Sequence, residues 1–277
     1  MDGSAFTWGD PLRLQMAAEG RRIVDAARER GVTLRLLGGL AVATHCDGLA
    51  SCEREYADVD LAGLSREAVG VVDVLRDLGY GERDHVRTAT MGRQAQFVRP
   101  CEHVTADDGR AHEDDHVDVF FDRFRMEHEL DLRDRLALHP YTLSASDLLV
   151  TKLLITHAEP RDVHDALHLL AVSADAPEGG PAAIDVKYIA GLCAGDWGLF
   201  YDVTRTLQRC VEAGGSSGLT PEDLERMGAQ VARLTGAIDA APKTVGWRLR
   251  AKVGTRRPWY QLVEEEDGGP PEDGSAS

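Results

Sequence analysis

The sequence predicts an α/β (α+β) protein, with a sheet flanked by helices in its first half and a helical domain in its second half. Short apolar strands alternate with helical segments up to about residue 140, as they do in a small α/β domain. No strand pattern follows that point. We therefore predict an α/β domain over residues 1–140, a helical domain over 141–262 and a disordered acidic tail over 263–277.

Local signals place the elements of the first half. The pair Asp10-Pro11 predicts the start of a helix, because Pro is favoured at the first helical position, and Gly31 ends that helix. Gly79 closes a later helix, and the acidic stretch 102–115 predicts an exposed loop. The other predicted elements of this half are strand 33–37, a helix that starts over 40–45, strand 58–62, helix 65–78, strand 93–98 and strand 116–121.

The second half is predicted to be helical. The run Thr220-Pro221-Glu222-Asp223 starts one helix, with Pro in the first turn and acidic residues near the positive end of the helix dipole. Residues 174–181 are rich in Ala, Gly and Pro and are predicted to form a linker. The other predicted helices cover residues 146–156, 160–170, 184–194 and 197–212.

Composition limits the function classes. The net charge of −16 argues against broad electrostatic binding to nucleic acid, because phosphate contacts need Lys and Arg, but it does not exclude a local basic patch. The sequence has no run of about 20 apolar residues and no apolar segment near its acidic start, so neither a membrane span nor a signal peptide is expected. The odd count of 5 Cys fits reduced thiols. We therefore expect a cytoplasmic protein.

Three acidic residues in apolar strands are the main candidates for chemistry: Asp58 and Asp60 in one strand and Asp118 in a later one. Because side chains alternate along a strand, Asp58 and Asp60 share one face while Val59 and Leu61 point into the core. An ionised carboxylate is costly in a half-buried strand unless a cation compensates it. If the two strands are neighbours, the three carboxylates suit Mg²⁺, which prefers oxygen ligands, and two such ions are expected.

A Gly38-Gly39 pair stands between a predicted strand and a predicted helix. Such a turn lets backbone N–H groups approach phosphate oxygens, with the positive end of the helix behind them. Each motif also has an ordinary structural interpretation, since Gly-Gly is commonly a tight turn and Asp-x-Asp commonly lies in a solvated loop. Asp118 alone could be an ion-pair partner on a strand edge. The order of the motifs and their strand context favour a joint site.

These motifs resemble those of the DNA polymerase β-type nucleotidyltransferase superfamily. Its signature is a hydrophobic-Gly-Gly/Ser turn, then Asp-x-Asp/Glu, then a third Asp on a later strand. Within it, the chain is most similar to the AbiEii-like toxin and small-molecule nucleotidyltransferase branch, over roughly residues 33–170. Beyond the three Asp residues, the matching positions are Gly38, Gly39, Ala41, Val42, Arg54, Lys152, Arg161, Asp162 and Asp165.

The resemblance implies a nucleotidyltransferase-type mixed sheet flanked by helices, with a helical domain that closes over the cleft. The implied reaction moves a nucleoside monophosphate from an NTP to an acceptor hydroxyl and releases pyrophosphate, with Mg²⁺ required. Asp58 and Asp60 would ligate the metals, and Asp118 would be a further ligand or the base for the acceptor. Gly38 and Gly39 would hold the triphosphate. The acceptor would be a small molecule or the end of a tRNA, and an antitoxin partner is implied for the toxin branch.

The resemblance also implies nucleotide-binding roles for Arg54, Lys152, Asp162 and Asp165. Lys152 would neutralise phosphate charge as a mobile ammonium, or would be an ordinary solvated helix residue. Asp162 lies in a first helical turn, where the helix dipole alone favours an acid. Asp165 lies three residues further on and could orient Lys152 or Arg161.

Other signals leave alternatives open. A zinc site is disfavoured because the candidate ligands Cys46, Cys52, Cys101 and His103 match no compact zinc motif. The run from His112 to His116 is better explained as an acidic loop than as a ligand set. The fold could also be a non-catalytic nucleotide-binding or interaction module.

One basic and aromatic cluster lies near the end of the sequence. Such a mixture can hold a nucleic acid backbone and stack bases. We favour instead a helix face that pairs with the acidic residues at 264–267. The cluster consists of Arg248, Arg250, Lys252, Arg256 and Arg257, flanked by Trp247, Trp259 and Tyr260.

Overall fold

A five-stranded mixed sheet flanked by helices is followed by a helical C-terminal region, which confirms the predicted fold class. The structure is a computed structural model. The residues that it describes are 11–46, 49–52, 58–99, 115–176 and 179–261. The predicted domain boundaries near residues 140 and 262 stay predictions.

The strands of the main sheet are short, and the two that carry the acidic residues lie side by side near its centre. The strands, in chain order, are β1 Leu34–Leu36, β2 Asp58–Gly63, β3 Gly81–Glu82, β4 Gln94–Arg99, β5 Asp115–Phe121, β6 Arg123–Arg125 and β7 Glu129–Asp131. The order in the sheet is β1-β2-β5-β4-β3, with β2 and β5 parallel and every other neighbouring pair antiparallel. Strands β6 and β7 form a separate antiparallel hairpin.

Helices pack against the sheet and make up most of the chain after residue 144. Several begin at ordinary caps, such as Ser144 and Thr220, whose side chains accept from the backbone three residues further on. The bounds are α1 Pro11–Glu29, α2 Gly38–His45, α3 Ala68–Asp77, α4 Asp84–Ala89, α5 Ala145–Leu153, α6 Pro160–Val172, α7 Val186–Gly195, α8 Trp197–Ala213, α9 Pro221–Ala240 and α10 Val245–Val253.

The two faces of the central strands differ as the sequence predicts. Val59, Leu61, Val117 and Val119 are buried in the core. Leu36 of β1 lies on the same face of the sheet as these residues and packs against Gly20 of α1. The alternating acidic side chains therefore lie on the opposite face of the sheet.

Some elements differ from the sequence-based expectation. Helix α2 begins at Gly38 itself, and the single helix expected over 65–78 is a 3₁₀ turn followed by α3. Asp122 accounts for that turn, because its carboxylate accepts from the backbone N–H and the hydroxyl of Ser65 at 3.0 and 2.6 Å. Strands β3, β6 and β7 and helix α4 were not predicted, and helix α10 was expected only as a helix face for the basic cluster, without bounds. They are short, and the β6–β7 hairpin is dominated by charged residues rather than by an apolar alternation.

Asp202 on α8 joins distant parts of the helical region, although it is fully buried. Its Oδ2 accepts from His128 at 2.8 Å, from the Thr156 hydroxyl at 2.7 Å and from the Trp259 indole at 2.8 Å. Burial alone would raise the pKa of Asp202, but these hydrogen bonds outweigh burial and the pKa is lowered. The Asp202 carboxylate thereby connects three segments: the loop after β6, the loop after α5 and the last described residues.

No membrane-spanning segment is expected from the sequence, and the helices can be checked for one by their length and polarity. Among the residues that the structure describes, no helix combines the length and the apolar character needed to cross a bilayer.

Stability is expected to fall between about pH 7 and pH 5 because of two histidines, the buried His168 and the partly buried His139. Burial lowers the pKa of both His139 and His168 to about 4. Between that value and the unfolded value near 6.5, the unfolded chain binds more protons, so the free energy of unfolding decreases as pH falls. His168, which is fully buried, should contribute about 2 kcal/mol of this loss over that interval. Urea unfolding at the two pH values measures the effect.

His168→Gln is expected to flatten this pH dependence, since it removes the titrating group. His157→Gln is the matched control, because the His157 side chain is 71% exposed. Equal pH slopes for wild type and His168→Gln would contradict the assignment to His168.

Candidate functional site

The three predicted acidic residues meet on one face of the sheet. Parallel pairing of β2 and β5 places Asp60 directly beside Asp118, and Asp58 beside His116. One carboxylate oxygen from each of Asp58, Asp60 and Asp118 lies within 4.8 Å of the others. Within the described ranges, no other group of three His, Cys, Asp or Glu residues meets this condition. The sequence left it open whether these two strands are neighbours, and the structure shows that they are.

The electrostatics of the triad fit a divalent cation. Burial raises the pKa of the Asp118 carboxyl, and the negative charge of Asp58 raises it further, while a hydrogen bond from Gln96 opposes the shift. Asp58 is exposed, whereas Asp60 and Asp118 are partly buried. Three carboxylates this close repel one another, and a bound hard cation with oxygen preference would relieve that repulsion. The donor set therefore suits Mg²⁺.

The Gly-Gly turn lies directly against the triad. Gly38 has φ +67°, and a Cβ atom added there would lie 2.0 Å from Asp60 Oδ2. The Leu37 backbone N–H donates to the Asp60 carbonyl at 2.9 Å, which fixes the start of α2 to β2. Leu37 precedes the helix and provides no side-chain cap. The structure thus brings Gly38 to Asp60, and phosphate binding by Gly38 and Gly39 stays a prediction.

Lys152 is buried between two acidic residues. Its ammonium lies 3.0 Å from Asp162 Oδ1 and 3.0 Å from Asp165 Oδ2, and 11% of its side chain is exposed. The alternative that Lys152 is a solvated helix residue is wrong, because α6 carries both carboxylates to it. Asp165 was expected to orient either Lys152 or Arg161, and the structure pairs it with Lys152. The Arg161 guanidinium instead lies 2.8 Å from the Glu159 carboxylate. A role in neutralising phosphate stays a prediction.

Asp162 also has a local structural role. Its Oδ2 accepts from the Glu159 backbone N–H at 3.1 Å, as part of a capping box at the start of α6. Helices α5 and α6 both pack against α2, the helix that starts at the triad. The cluster of Lys152, Asp162 and Asp165 is therefore linked to the triad through α2.

Sequence reasoning missed a histidine contact to the 3₁₀ turn Ala50–Cys52. His164 Nε2 lies 2.9 Å from the Ser51 carbonyl, and His168 Nε2 lies 3.0 Å from the Ser51 hydroxyl. Both histidines lie on α6, four residues apart, so they form one face of that helix. That spacing was the available signal, but it does not identify a serine partner more than a hundred residues earlier.

Several predicted candidates lie outside the described residues. These are Arg54, Cys101, His103 and His112, together with most of the acidic loop and the acidic tail. The other proposed zinc ligands, Cys46 and Cys52, are buried.

The aromatic residues of the basic cluster are engaged within the chain. Trp259 packs edge-on against Trp197 and Tyr201, and Trp247 packs edge-on against Phe200. Arg250 donates to the carbonyls of the segment that follows α10 and lies over the Trp197 ring. These rings are therefore partly buried against other aromatic side chains, which disfavours base stacking. The exposed members of the cluster are Arg248, Lys252, Arg256 and Arg257.

Comparison with known proteins finds a distant likeness among solved structures. No family profile and no curated protein matches the chain. Among solved structures, it is similar to the crystal structure of an antigenic nucleotidyltransferase-like protein from Paracoccidioides brasiliensis. The two are 11% identical, the match covers 86% of this chain and 96% of that chain, and the TM-score is 0.39. A likeness this distant gives no information about substrate or activity, so the functional conclusion depends on the chemistry of the site.

Proposed function

We propose that the chain is a Mg²⁺-dependent nucleotidyltransferase that moves a nucleoside monophosphate from an NTP to an acceptor hydroxyl. The main observation is the meeting of Asp58, Asp60 and Asp118, whose carboxylates converge at the start of α2. The resemblance of the same residues to the nucleotidyltransferase signature supports this interpretation. The AbiEii-like branch is part of the proposal.

Each part of the site has a role in this reaction. Mg²⁺ held by the three carboxylates would neutralise triphosphate charge and make the acceptor hydroxyl more acidic. Backbone N–H groups of Gly38 and Gly39 would hold phosphate oxygens. Asp118 would accept the acceptor's proton or would serve as a metal ligand. A bond forms between the acceptor oxygen and the α-phosphorus, the bond to the β-phosphate oxygen breaks, and pyrophosphate leaves.

Two acceptor classes are compatible with the proposal. The net charge of −16 favours a small hydroxyl-bearing molecule. The exposed cations Arg248, Lys252, Arg256 and Arg257 favour the end of a tRNA, since they could contact its backbone. The engaged aromatic rings weaken the second case, and we favour the small molecule. An antitoxin partner would follow only if the chain acts as a toxin.

The proposal is tested by thermal unfolding with Mg²⁺ and each of the four NTPs. Ligand at about 100 times its Kd should stabilise the native state by about 2.7 kcal/mol. We expect one or more NTPs to raise the Tm of wild type, and we expect no rise for Asp58→Asn/Asp60→Asn. The control is Asp73→Asn/Asp77→Asn, two exposed acids on α3, which should respond like wild type.

Two outcomes would count against nucleotidyl transfer. No shift with any NTP would favour a non-catalytic interaction module. An equal shift in wild type and Asp58→Asn/Asp60→Asn would show nucleotide binding away from the triad. After a positive result, pyrophosphate release with a tRNA pool and with small hydroxyl compounds identifies the acceptor class.

A further inference from the structure

Two glutamine side chains on β4 face Asp118 from the neighbouring strand. The antiparallel register places Gln96 directly opposite Asp118. The Gln96 amide nitrogen donates to Asp118 Oδ1 at 3.0 Å, and the Gln94 amide nitrogen lies 3.5 Å from the same oxygen. Amide donors from β4 therefore contact Oδ1 of the Asp118 carboxylate.

Arg83 fixes the direction in which the Gln96 amide points. Arg83 Nη1 donates to Gln96 Oε1 at 3.0 Å, and the Arg83 backbone N–H donates to the Gln96 carbonyl at 2.8 Å. A guanidinium only donates hydrogen bonds, whereas an ionised carboxylate only accepts them. The Gln96 amide therefore satisfies both neighbours in a single orientation, with its oxygen toward Arg83 and its NH₂ group toward Asp118.

We propose that Gln96 is a positioning residue of the metal site and that Arg83 acts through it. The inference rests on the proposed function, because it requires Asp118 to hold a cation. Gln96 keeps the Asp118 carboxylate in one orientation, so the carboxylate does not have to be ordered when the cation binds. Loss of a group that orients a metal ligand typically weakens metal binding by about 10- to 100-fold.

A purely structural role for Gln96 leads to a different expectation. In that case Gln96 only satisfies a partly buried carboxylate, and its removal lowers the stability of the metal-free protein. The affinity for metal then stays unchanged. Metal affinity and metal-free stability therefore have to be measured on the same variants.

The test is a titration with Mn²⁺ in place of Mg²⁺, with free Mn²⁺ followed by its EPR signal, on the full chain. Gln96→Met removes the donor and keeps the length of the side chain. We expect its Kd for Mn²⁺ to rise about tenfold and that of Arg83→Met to rise less. The variant with both changes should match Gln96→Met alone, because Arg83 acts only through Gln96. Thermal unfolding without metal reports whether each variant is folded.

Arg87→Met is the matched control. Arg87 lies on α4, close in sequence to Arg83, but its guanidinium pairs with Glu82 at 3.2 Å. It should bind Mn²⁺ like wild type. A wild-type Kd in Gln96→Met, or additive losses in the double variant, would overturn the proposal. Absence of binding by wild type would instead overturn the metal site and with it the proposed function, so the two failures are distinguishable.

Discussion

Replacing Asp60 with Asn is expected to lower nucleotidyl transfer by about a thousandfold or more while the fold stays intact. Asp60 lies directly beside Asp118 on the neighbouring strand, and one of its carboxylate oxygens lies within 4.8 Å of a carboxylate oxygen of each of the other two acids. An amide cannot supply the negative charge that holds a cation against triphosphate, and charge stabilisation is commonly the largest single contribution to such catalysis.

The same change should leave the metal-free protein folded. Like charges on neighbouring strands repel, and Asn removes one of three. Pyrophosphate release measures the activity, and thermal unfolding in EDTA measures the stability. Asp73→Asn on the surface of α3 is the control for both. Activity near the wild-type value in Asp60→Asn would exclude the triad as the reaction centre.

Gly38→Ala is expected to remove most metal binding and activity through a change of one methyl group. The new Cβ would lie 2.0 Å from Asp60 Oδ2, so the carboxylate must move away. Displacement of a reacting group by about 1 Å can cost about a hundredfold in rate. The positive φ of Gly38 adds about 1–2 kcal/mol of backbone strain for any L side chain.

The variant Gly31→Ala is the control that separates the effect of backbone strain from the effect of displacing the Asp60 carboxylate. Gly31 has φ +69°, nearly that of Gly38, but a Cβ added there meets no atom within 4 Å. Both variants should lose stability in urea unfolding, whereas only Gly38→Ala should lose Mn²⁺ affinity and pyrophosphate release. Equal Mn²⁺ affinity in the two variants would show that Asp60 does not depend on the glycine.

The acidic triad could be predicted because its signal is local. Asp58 and Asp60 are separated by one apolar residue, and Asp118 stands between Val117 and Val119. Even without the sheet order, that alternation predicts which side chains share a face. The sequence did not show whether the two strands are neighbours, and the structure answers this with their parallel pairing.

The contacts that support the triad could not be predicted, since they depend on strand register and helix docking. Gln96 has no chemical signal of its own, and only the antiparallel register of β4 and β5 places it opposite Asp118. Lys152 is typical of a solvated helix residue until α6 brings Asp162 and Asp165 to its ammonium. In both cases tertiary structure determines the partner. The residue pattern within one strand or helix gives no information about such contacts.

The parallel pairing of β2 with β5 also has a consequence for the order in which the chain folds. Parallel neighbours require a long crossover, and here the intervening chain runs from Gly63 to Asp115. Pairings of such separation form late, because the entropy of closing the loop is lost before the contacts compensate for it. A fragment that ends before β5 therefore contains two of the three acids without their binding geometry, and the site is a property of the completed sheet.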